Sequence, residues 1–92
     1  MYKYGILWVQ QRKVVVFMKL YNDLPLSYWL DTLRVKVFSH KWGTVTQCIR
    51  AICSIIDRPD LLESYFSFDF GTVDYIDSIW NVYYAGRREL EG

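Results

Sequence analysis

The hydrophobic pattern of this chain changes period once, and that change limits the fold more than any other feature. From Tyr2 to Val9, Tyr2, Tyr4, Ile6 and Trp8 share one parity while Lys3, Gly5, Leu7 and Val9 share the other, a period of two in residues that favour strands. Gln10 to Lys13 is a polar break, and Val14 to Tyr21 resumes with three valines in a row. Residues 2–9 and 14–21 therefore read as an antiparallel β-hairpin at the N-terminus. No Asn-Gly marks its turn, so the register is open by one residue, a slip that exchanges the faces carrying Leu7 and Trp8.

After Tyr21 the period is helical. Asn22 and Asp23 offer a cap ahead of Leu24-Pro25, and proline is tolerated in a first helical turn. Leu26, Trp29, Leu30, Leu33 and Val37 then form a stripe at i, i+3, i+4, i+7 and i+11. The end of that segment, Leu33-Arg34-Val35-Lys36-Val37, also alternates as a strand does. The expectation is a helix over residues 25–33 and an extended piece over 34–38, because β-branched valines favour the strand. A third strand there makes a three-stranded sheet.

From Gly43-Thr44 onward, Val45, Cys48, Ile49, Ile52 and Ile56 line one helical face, opposite Thr46, Gln47, Arg50, Ser54 and Asp57. Pro59 stops that helix, and Asp60-Leu61-Leu62-Glu63 has capping-box spacing for a short helix after it. Thr72 is a cap for a last helix with Val73, Ile76, Ile79, Trp80 and Tyr83 inward. Asp74 and Asp77 lie near its positive end, Gly86 suits the position after its last turn, and Arg87 and Arg88 oppose its negative end. The fold class is α+β: an N-terminal antiparallel hairpin packed against two longer and one or two short α-helices. No linker or repeat divides the chain, so residues 1–92 are expected to form a single domain.

Composition narrows the function classes. A chain with 52% hydrophobic and 23% charged residues is too apolar to remain disordered. Its longest uninterrupted apolar stretch, Val14 to Met18, is far short of the roughly 20 residues of a membrane span. The start has no small-residue cleavage site after an apolar core and does not read as a signal peptide, so the expected location is intracellular and cytoplasmic. Net charge is +1, yet residues 1–42 hold seven Lys and Arg against two Asp, and residues 43–92 hold four Arg against eight Asp and Glu. Such a dipolar surface steers charged partners.

Chemistry is weakly signposted. Cys48 and Cys53, five apart on a helix, are turned about 140° from each other, too far round for a disulfide. They read as free, buried thiols. His40 adds one further ligand type, too few for zinc, and no oxyanion or phosphate-binding glycine pattern accompanies it. Asp74 and Asp77 fit a first helical turn better than an acid pair or a cation site. No enzyme activity, cofactor or metal is expected.

Two binding readings remain. Seventeen aromatic residues exceed what so small a core can bury, and aromatic side chains with arginine dominate interface energies. The run Tyr65-Phe66-Ser67-Phe68-Asp69-Phe70, with Asp74 nearby, fits neither period. It is the candidate surface for another protein, and its acidic setting suits a basic or nucleic-acid-handling partner that the chain occludes or bridges. The alternative is a small nucleic-acid-binding protein. There Arg34, Lys36, His40, Lys41 and Trp42 form a basic segment whose cations meet phosphates while the indole stacks on a base. A hairpin apolar on both parities leaves one face to hide, and a homodimer is the commonest way to hide it.

Overall fold

The computed structural model describes residues 20–92, and the protein is α+β: among the described residues, an antiparallel hairpin packs on four helices. Only Leu20 and Tyr21 of the hairpin expected between residues 2–9 and 14–21 are covered; the rest of it lies outside the described residues. Within them, β1 (Leu20–Tyr21) pairs antiparallel with β2 (Leu24–Pro25), Leu20 opposite Pro25 and Tyr21 opposite Leu24. Asn22 and Asp23 join the two strands with φ of 51° and 65°, the left-handed region that two-residue hairpin turns need and that these two residues tolerate. They therefore close a turn rather than cap a helix, and Pro25 occupies the cap position in extended backbone.

Helix α1 (Leu26–Phe38) buries Leu26, Trp29, Leu30, Leu33 and Val37, the stripe read from the sequence. The Trp29 indole Nε1 donates to the Tyr21 carbonyl at 3.2 Å and its ring meets that of Tyr21 edge-on, which clips the hairpin to the helix. Residues 34–38, expected as a third strand, are the last turns of α1, and no third strand occurs among the described residues. Burial decides this. A helix carries Val37 inward in line with Leu33 and Leu30, each such side chain contributing about 1.5–3 kcal/mol, whereas strand propensity spans about 1 kcal/mol.

Ser39 and His40, the latter at φ 58°, turn the chain into α2 (Trp42–Ile56). Val45, Cys48, Ile49 and Ile52 are buried as the stripe requires, and Ala51, Cys53 and Ile55 join them because α1, α4 and β1 all pack on this helix. Asp57 ends it in the left-handed region. The short helix α3 (Pro59–Phe66) starts with Pro59 in its first turn. The expected capping box is absent: Asp60 lies one residue inside the helix, where its two carboxylate oxygens accept from Arg58 at 2.9 and 2.8 Å.

Helix α4 (Val73–Glu91) is capped as expected, the Thr72 hydroxyl accepting from the Tyr75 amide at 3.1 Å. Its inner face differs from the expectation in two places. Tyr75, Ile79, Val82 and Gly86 face the core, while Val73, expected inward, is 76% exposed. Gly86 does not follow the last turn but lies buried inside the helix. A Cβ there would stand 2.8 Å from Leu30 Cδ2 and 3.2 Å from Ile52 Cγ2, so glycine is what lets α4 approach α1 and α2 so closely.

Candidate protein-docking surface

The segment between α3 and α4 hangs from two buried tyrosines. Tyr65, on the last turn of α3, and Tyr75, on the first turn of α4, are both fully buried with ring centroids 5.1 Å apart. Their hydroxyls are 2.7 Å from each other, and the Tyr65 hydroxyl is 2.6 Å from that of Thr46 on α2. This chain of three hydroxyls ties three helices at one point and satisfies polar groups that are costly to bury alone. Burial, with the bond to Tyr65, raises the Tyr75 phenol well above its ordinary range, so that ring remains neutral.

Chain stitches shape what lies between. Ser67 donates from its hydroxyl to the Ser64 carbonyl at 2.6 Å, Thr72 from its hydroxyl to the Asp69 carbonyl at 2.8 Å, and Gly71 takes φ +83°. With both ends pinned inward, the intervening rings point out: Phe66, Phe68 and Phe70 are all exposed, Phe70 by 61%. Two of them have lateral support. Phe66 meets Tyr65 edge-on and carries the Arg50 guanidinium 4.8 Å over its face, and Phe70 rests at 5.0 Å on Tyr75. Asp69 and Asp74 are exposed beside them. Of the residues expected to meet a partner, Phe66, Phe68, Asp69, Phe70 and Asp74 are thus accessible together. Tyr65 is not: it is core, and its role is to hold the others.

The alternative basic set is dispersed by the fold. In a strand, Arg34 and Lys36 would share a face; on α1 they stand two residues apart, on different sides of the helix. Arg34 is exposed, whereas Lys36 is half-buried toward α2, its charge reaching Cys48. His40 and Trp42 do come together, stacked at 5.4 Å with exposed Lys41 between them in sequence, and Trp42 packs edge-on against Tyr75.

Trp80, expected inward, stands beside Phe38 and Tyr84, to which the inward stripe assigns no role. Trp80 is half-buried, Phe38 is 74% and Tyr84 57% exposed, and the Trp80 ring lies 6.4 Å from Phe38 and 6.3 Å from Tyr84. The signal was present in the spacing: Val73, Trp80 and Tyr84 share a helical face that is offset from Tyr75, Ile79, Val82 and Gly86.

The thiols are where the sequence put them. Cys48 and Cys53 are free and buried, and burial pushes both from 9.0 up to about 11, leaving little thiolate at neutral pH. Among the described residues no three His, Cys, Asp or Glu side chains converge on a point where a metal could sit, and no helix is long and apolar enough to cross a membrane. No family model, curated protein or solved structure matches the chain.

Proposed function

We propose that this chain is a small, non-enzymatic protein-binding module that docks on a basic, nucleic-acid-handling partner and occludes or bridges it. The observation that carries this reading is the exposure of Phe66, Phe68 and Phe70 on a stitched loop between two buried tyrosines. Rigid apolar rings lose little entropy on docking, and they are the side chains that most often dominate an interface. Asp69 and Asp74, exposed beside them, outnumber the one cation placed on these rings among the described residues, Arg50 over Phe66. That acidic excess selects cationic partners and speeds their approach.

Affinity capture from source cells tests the reading, with wild-type chain, Phe68→Ser/Phe70→Ser and Asp69→Asn/Asp74→Asn as baits of verified fold. The expected result is a basic protein retained by the wild type, lost with the serine pair, and held more weakly and with less salt dependence by the asparagine pair. Equal retention by all three baits refutes it.

A further inference from the structure

We propose that α4 is also a self-association helix, pairing antiparallel with α4 of a second copy about a two-fold axis at the level of Val82. The seam is Val73, Asp77, Trp80, Tyr84, Arg87 and Glu91, spaced alternately four and three residues apart on the outer face of the helix. That alternation keeps one narrow stripe aligned along a helix–helix contact. All six are exposed except Trp80, which is half-buried. This surface is separate from the loop of phenylalanines, and the proposal stands without the function inferred above.

Charge identifies the second copy as the occupant. On the seam, Asp77 lies in the first half and Arg87 in the second, and Glu91, which ends the seam, pairs with Arg87 within the same chain. A two-fold axis at Val82 sets Asp77 opposite the partner's Arg87, and Trp80 opposite the partner's Tyr84. By symmetry each contact occurs twice, which is the self-complementarity a two-fold interface requires. Parallel pairing would instead oppose Asp77 to Asp77 and Arg87 to Arg87, and would align the two helix dipoles unfavourably. The Arg87 guanidinium is held in place by the Tyr83 hydroxyl at 3.2 Å and Glu91 at 3.1 Å. Exposed Phe38, 6.4 Å from Trp80, widens the apolar centre on the α1 side.

Sedimentation equilibrium of the full chain over a concentration series tests this, with circular dichroism to verify each variant's fold. Wild type is expected to dimerise. Asp77→Arg and Arg87→Glu alone should each weaken the dimer about tenfold or more, since each places like charges face to face. An equimolar mixture of the two variants should restore it as a heterodimer, and Asp77→Arg/Arg87→Glu in one chain should restore the homodimer. Tyr84→Ala, at an exposed position, should weaken it with the fold unchanged. A wild-type chain that stays monomeric throughout overturns the proposal. So does a dimer indifferent to both charge reversals, or one that the mixture fails to restore.

Discussion

Two of the regions in which the described residues present aromatic side chains differ in their supports. The 66–70 loop owes its shape to what lies beneath it: two tyrosines with hydroxyls 2.7 Å apart pull its ends inward, and three phenylalanines are left facing out. On the outer face of α4, Val73, Trp80 and Tyr84 stand where helical spacing puts them, with Trp80 half-buried beside Phe38. The charges differ as well. Around the loop acids outnumber base, Asp69 and Asp74 against Arg50, whereas the α4 seam carries Asp77 in its first half and the Arg87–Glu91 pair in its second. A surface predominantly of one sign fits a foreign partner of the other sign; a surface that sets an acid and a base at equal distances from its centre fits a copy of itself.

Changes beneath the loop should have the largest effect. Tyr65→Ala empties a fully buried site and breaks the hydroxyl chain, and should cost about 3–5 kcal/mol in denaturant unfolding. Tyr65→Phe keeps the ring, loses only the hydroxyl, and should cost about 1–2 kcal/mol. Equal losses for the two would mean that the ring does not anchor the loop. On the α4 side, Gly86→Val forces branched carbons against Leu30 and Ile52 and should cost about 2–3 kcal/mol. Gly86→Ala should cost less, because the helix propensity gained, about 1 kcal/mol, offsets part of the overlap.

A gentler effect comes from the buried thiols on α2. Folded Cys48 and Cys53 keep their protons up to about 11, while unfolded thiols release theirs near 9.0. The native state thus binds more protons than the unfolded state in that interval. Stability is full below pH 9 and falls as pH rises from about 9 to about 11, and Cys48→Ala/Cys53→Ala should flatten that decline in pH-dependent unfolding. Thiol labelling at neutral pH should follow global opening rather than direct attack. Least of all, Phe68→Ser/Phe70→Ser and Tyr84→Ala should each shift stability by only about 0.5 kcal/mol, as exposed substitutions do. Unfolding by either would place its rings in the core.

Periodicity made much of this legible before any coordinates. The stripes of α1 and α2, the break at Pro59 and the Thr72 cap all stand as the sequence implied, because each rests on local geometry or on a long run of one period. Residues 34–38 are ambiguous in sequence because Val35 and Val37 satisfy both periods and only packing chooses between them. Gly86 is not legible as a packing position, because a glycine near a helix end signals a stop and nothing local reveals that Leu30 and Ile52 approach it. The 65–70 run was recognised as aperiodic, but the separation of buried Tyr65 from exposed Phe66, Phe68 and Phe70 depends on Thr46 and Tyr75, which are distant in sequence.

That the two aromatic regions serve different partners is tested most directly by measuring, at equal folded concentrations of Phe68→Ser/Phe70→Ser and Asp77→Arg, both partner capture and self-association. The expected result is a crossed pattern: the serine pair loses capture and keeps the dimer, and the charge reversal loses the dimer and keeps capture. Loss of both properties in both variants, or of neither in either, contradicts the assignment.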